Sequence, residues 1–86
     1  MHTIWKYELK ITDTNHVMMP EASKILTAQM QGNVLCIWAM VAPSSPLRER
    51  VIRIVGTGNP FRDAQNCRYI ASVQERVFVW HVFEVL

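Results

Sequence analysis

Between residues 3 and 11 the chain alternates. Trp5, Tyr7, Leu9 and Ile11 fall on one side and Lys6, Glu8 and Lys10 on the other, the period of a half-buried strand with one wet face. Turn formers at Asp13, Thr14 and Asn15 end it. A short extended piece closing at Pro20 follows, because the residue before a proline is driven to extended geometry. Residues 21–30 carry two patterns at once. Leu26, Ala28 and Met30 alternate with Thr27 and Gln29 as a strand would, whereas Glu21, Ala22, Lys24, Leu26 and Ala28 are good helix formers. "QGN" at 31–33 is a hairpin signal, since Gly32 and Asn33 both tolerate positive φ. "VLCIWAMV" is apolar at every position and reads as a strand covered on both faces. A loop with two prolines, "APSSPLRE", leads into "RVIRIV" and the glycine loop. Beyond it, "CRYIASV" and "RVFVWHVFEV" read as two strands turning at Gln74 and Glu75.

These elements predict a single, mostly β domain over residues 1–86: a small antiparallel barrel or rolled sheet of six or seven strands. At most one short helix is expected, at 21–30 or in the connection at 60–67. Trp5, Leu9 and Trp38 are expected to be substantially buried. A chain of 86 residues buries only about 60–65% of its unfolded surface and has one thin core. Half of its residues are apolar, which excludes a disordered tail and exceeds what that core needs. A homo-oligomer, most simply a twofold dimer, is therefore expected.

Charge narrows the function classes. A net charge of +2 is far from the concentrated basic excess of a phosphate-driven nucleic-acid binder. Lys6 and Lys10 around Glu8, and Arg48 and Arg50 around Glu49, read as solvated strand faces. Cys36 and Cys67 lack CxxC spacing and read as free cytosolic thiols. His2, His16 and His81 are scattered, so no metal site follows from ligand spacing, and no cofactor is expected. "MHTIWKYELK" has no signal-peptide core, and the longest apolar run, Val34 to Pro43, is about half a membrane span. The expected location is the cytoplasm, with no membrane partner.

No catalytic constellation is legible. His81 shares a strand face with Val79 and Phe83 and reads as a core-edge histidine, while Glu84 faces the other way and cannot orient it. Serine-elbow, HExxH and paired-carboxylate patterns are absent, so a non-enzymatic protein is expected. The stretch "RIVGTGNPFRDA" holds two of the chain's three glycines. Pro60 occupies the place where a dinucleotide-binding loop needs its third glycine, and the Gly-Lys-Ser/Thr ending of a P-loop is missing. Two readings stand. In one, the loop is a strand exit in which Gly56 and Gly58 take positive φ and Pro60 fixes the next turn. In the other, it is a backbone nest offering amides to an anion, with Thr57 and Asn59 adding side-chain groups and Arg53 and Arg62 adding charge. Trp5, Tyr7, Trp38 and Trp80 either fill the core or stack on a ligand or partner. The candidate ligand-binding set is Arg53, Gly56, Thr57, Gly58, Asn59, Arg62, Trp5 and Tyr7.

Taken together, "TIWKYEL", "MPEASKIL", "LCIWAMV", "RIVGTGNP", "RYIASVQ" and "VFVWHVFE" resemble a small family encoded mainly by bacteriophages and prophages. The likeness covers nearly the whole chain. It departs at two places: an acidic residue often stands where this chain has Ala42, and a glycine often replaces Glu21 or Ala22. The resemblance implies the context of an accessory phage protein that binds and blocks something in its host. Two partners fit that context. The first is a small anionic ligand, such as a cyclic nucleotide signal of anti-phage defence, which the protein would sequester. The second is a host defence complex, inhibited through an apolar surface patch. The glycine loop and its arginines favour sequestration by a small margin.

Overall fold

The computed structural model describes residues 1–86. Seven strands run in chain order: β1 (Thr3–Leu9), β2 (Thr14–Pro20), β3 (Lys24–Gln31), β4 (Val34–Val41), β5 (Leu47–Gly56), β6 (Cys67–Glu75) and β7 (Phe78–Val85), with a single 3-10 turn at Ala64–Asn66. Two antiparallel sheets result, one ordered β1-β4-β3 and the other β2-β5-β7-β6. The β3 edge of the first lies against the β6 edge of the second. The sheets thus roll together along one side, and β1 and β2 are left as the free edges. The molecule measures 40 × 30 × 16 Å, and its thin dimension is that of two facing sheets with their side chains.

Alternation builds the core. Leu35, Ile37, Ala39 and Val41 of β4 point inward and are fully buried, as are Ile52 of β5 and Val82 of β7; Leu9, Val17, Met19, Ala28, Ile54 and Val73 complete the cluster. The segment 21–30 resolves as a turn followed by strand β3. A helix there would have left Ala28 and Met30 without the pairing that β4 provides. A bulge between Ile25 and Thr27 pushes Leu26 outward and reverses the expected faces around it.

Four expectations need correction. Trp5 faces inward, opposite Ala39, yet is 39% exposed because β1 is the last strand of its sheet. Trp38 is half-buried on the outer face, so β4 is covered on one side only. Cys36 is enclosed on that outer face because β4 is central, with Glu8 and Gln29 opposite it on either side. In the last hairpin, Gln74 and Glu75 remain paired with Val79 and Phe78. The turn is Arg76–Val77, with Arg76 at φ 55°. Lastly, Arg50 is not solvated. It reaches across the inner face to Glu84, which is 4% exposed, and Arg68 closes on the same carboxylate at 2.7 Å.

The turn before β3 supports that ion cluster. The Glu21 backbone N–H donates to the Pro46 carbonyl at 2.7 Å, the Ser23 N–H donates back to the Pro20 carbonyl, and the Ser23 carbonyl accepts Arg50 Nη1 at 2.8 Å. Ala22 sits in this turn at φ 63°, a conformation that favours glycine.

Candidate functional site at the glycine turn

The sequence Gly56-Thr57-Gly58-Asn59 closes on itself. The Asn59 amide donates to the Gly56 carbonyl at 3.0 Å, and Gly58, the third residue, has φ 86°, the glycine-requiring position of a type II turn. Gly56 serves a different need. It is paired with Trp80, and an added Cβ would lie 2.8 Å from Asn59 Nδ2 and 3.1 Å from the Trp80 ring. Positive φ therefore belongs to Gly58 alone, and Gly56 is small because β7 comes close.

The amides expected to form a nest are largely engaged. Thr57 N–H donates to the Val79 carbonyl at 3.3 Å and Asn59 N–H to Gly56. Arg53 is engaged as well: it pairs with Asp63, donates through Nε to the Asp13 carbonyl at 3.1 Å, and lies 5.8 Å above the Phe61 ring. Its charge locks the connection after β5 onto the outer sheet face. Of the two candidate arginines, Arg62 is the exposed one with no hydrogen-bond or ion-pair partner in the protein. Trp5 lies on the other sheet beside Ala39 and Ile25, toward the end that holds Glu84. Tyr7, half-buried at mid-strand, has its hydroxyl enclosed without a partner, and burial raises its pKa. The structure thus gathers Gly56, Thr57, Gly58 and Asn59, keeps Arg53 nearby but neutralised, and leaves Trp5 and Tyr7 apart from them.

The turn does present a side-chain network that sequence reasoning missed. Thr57 Oγ1 lies 2.7 Å from His81 Nε2, Ser72 Oγ 2.7 Å from His81 Nδ1, and Tyr69 Oη 2.9 Å from Ser72 Oγ. His81 and Ser72 are cross-strand partners, and His81 is partly exposed rather than a core-edge residue. Each imidazole nitrogen meets a hydroxyl, and no carboxylate touches the ring. Beside this chain, Tyr69, Phe83 and Phe61 form an aromatic row with centroids 5.5 and 4.8 Å apart. At the adjoining hairpin tip, Val77, Phe78 and Val79 are 86%, 54% and 37% exposed, and Phe78 stacks on Trp80 at 5.5 Å. A shallow depression of about 270 Å³ separates this tip from the glycine turn.

The full length of the chain, residues 1–86, matches the family described as Domain of unknown function (DUF7352), and the chain belongs to that family. No curated protein and no solved structure matches it. No helix is long and apolar enough to cross a membrane.

Proposed function

We propose that this chain is a small, non-enzymatic binding protein of the phage accessory kind, which blocks a host protein complex through the β6–β7 hairpin tip and the glycine turn beside it. One observation carries the reading. Arg53 and the Thr57 and Asn59 amides, which would hold an anion, are committed internally and leave only Arg62 free, whereas Val77 and Phe78 expose apolar surface at the tip beside them. Val77, Phe78 and Trp80 with Arg76 form the aromatic, aliphatic and cationic mixture from which interface anchors are drawn. They stand on a hairpin braced beside its turn by the Trp80 Nε1–H bond to Glu75 at 3.1 Å.

Sequestration of a nucleotide signal has less support. Asp13 lines one of the two depressions around Trp80, and the Glu75 carboxylate accepts from the Trp80 indole; carboxylates so near oppose an anion. The discriminating experiment runs two assays on the parent and on Val77→Asp. In the first, thermal stability is measured with a panel of mono-, di- and cyclic nucleotides. In the second, retention of a host complex from cell extract is measured. The expected outcome is no thermal shift for either protein, with a complex retained by the parent and lost on substitution. A nucleotide-dependent shift that survives Val77→Asp would overturn the proposal in favour of sequestration.

A further inference from the structure

We propose that the free edge of β1 pairs with the β1 edge of a second copy, antiparallel and centred on Tyr7, to join two three-stranded sheets into one of six strands. One side of β1 pairs with β4 from Thr3 to Leu9, and no strand occupies the other. Free edges are normally blunted by proline, bulges or inward-pointing charges. The other free edge, β2, ends in Pro20. β1 has no proline and no bulge, and its inward residues Thr3, Trp5, Tyr7 and Leu9 carry no charge.

Its charges sit where a second copy would match them. On the outward face Lys6 and Glu8 flank Tyr7, and both are exposed; Lys6 Nζ donates to Gln31 Oε1 at 2.7 Å, an exposed bond that pairing would exchange for the partner's carboxylate. With Tyr7 opposite the partner's Tyr7, Lys6 faces the partner's Glu8, and Glu8 faces the partner's Lys6. Both neighbouring registers that keep the sheet faces aligned fail on charge. Centring on Lys6 sets two lysines opposite each other, and centring on Glu8 sets two glutamates opposite and brings Lys6 against the partner's Lys10. Like charges directly across a ladder destabilise it, and opposite charges support it. On the inner side the same register sets Trp5, with its exposed indole, opposite the partner's Leu9. The partly exposed edge tryptophan and the surplus of apolar residues thus share one physical reason. The β6–β7 tip stays free in this dimer, so the pairing stands independently of the proposed blocking function.

Light scattering and sedimentation across the micromolar range test the pairing. The parent is expected at twice the chain mass of 10.0 kDa. Lys6→Glu and Glu8→Lys are each expected to weaken self-association at least tenfold, because each sets like charges across the ladder at both symmetric places. An equimolar mixture of the two variants is expected to dimerise as the parent does, since every cross-strand pair is again opposite in sign. The double swap, Lys6→Glu with Glu8→Lys on one chain, is expected to self-associate like the parent, and it tests the register even where a single reversal unsettles the fold. A parent that stays at 10.0 kDa, single variants that associate as the parent does, or a mixture that stays monomeric would each overturn the proposal.

Discussion

His81 and Glu84 stand three residues apart on β7 and face opposite sides of its sheet. Around His81 everything is neutral and reachable by water: the hydroxyls of Thr57 and Ser72 meet its two nitrogens, and Tyr69 extends the chain. Around Glu84 the partners are charged, and Arg50 is enclosed with it while Arg68 closes the cluster from the solvent side. The carboxylate is 4% exposed and holds Arg50 and Arg68, while Arg50 also reaches the Ser23 carbonyl. One strand therefore carries an adjustable network outside and a fixed one inside. Water can replace a lost partner at the first. At the second, losing a partner strands a charge where water cannot follow. The outer network is suited to meeting a partner surface, and the inner one fixes how β2, β5, β6 and β7 stand against the turn before β3.

The sharpest way to break this contrast is to neutralise each centre in turn. Glu84→Gln is expected to cost about 3 kcal/mol, because it leaves the enclosed Arg50 guanidinium against a neutral amide, while the exposed Arg68 can turn to water; His81→Ala should cost about 1 kcal/mol or less. Equal losses in chemical denaturation would refute the distinction. Acid should report the same centre. Burial pushes the Glu84 carboxyl up, but hydrogen bonds from Arg50 and Arg68 and their charges more than offset this and hold it below its ordinary value. A depressed folded pKa contributes stability that is fully present above the unfolded value and is lost as pH falls through the folded one. The parent should therefore lose stability in that acid window, and Glu84→Gln should flatten that part of the profile. An unchanged acid limb would show that the carboxylate is not the group responsible.

A smaller effect tests the turn that supports the inner network. Ala22 has φ 63° next to Ser23, whose carbonyl holds Arg50. A left-handed conformation costs a non-glycine residue about 1–2 kcal/mol, and the extra freedom of glycine in the unfolded chain returns part of this. Ala22→Gly is expected to stabilise the protein by about 0.5–1 kcal/mol. Loss of stability in thermal denaturation would mean that the turn is not strained.

Much of this was legible in the residues, and what was not has identifiable causes. Period-two alternation put His81 and Glu84 on opposite faces, as the structure has them, but the face of His81 was read as the core edge when the core face is that of Val82 and Glu84. Partners across the ladder did not follow. Placing the last turn at Gln74–Glu75 rather than Arg76–Val77 keeps every face but moves every partner by four residues, setting His81 opposite Arg68 in place of Ser72. That slip hid the Ser72 contact, and the Thr57 contact was hidden because it depends on the pairing of β5 with β7. Arg50 was misread for another reason: "RER" describes charge along the strand, and only the arrival of β7 beside β5 brings a carboxylate onto its inner side. Of the two glycines in the loop, Gly58 followed from turn chemistry, whereas the need for Gly56 depends on the distant Trp80. Trp5 shows the limit of alternation. It gives the direction of a side chain, while the strand's place in the sheet decides how much covers it.

The smallest expected effect concerns the outer network itself. Ser72 accepts or donates to both His81 and Tyr69 on an exposed face, where each such bond contributes only about 0.5–1 kcal/mol net. Ser72→Ala should therefore shift the denaturation midpoint by no more than that amount. Its clear signature lies in the imidazole. With the Nδ1 partner removed and Thr57 still at Nε2, the ring loses one of the two hydroxyls that hold its tautomer. Nitrogen chemical shifts of His81 should move toward those of a freely exchanging tautomer pair, and Thr57→Val should move them the same way by removing the Nε2 partner instead. If the two variants leave the ring shifts unchanged, the hydroxyls do not order His81, and the outer face is a packed surface rather than a connected network.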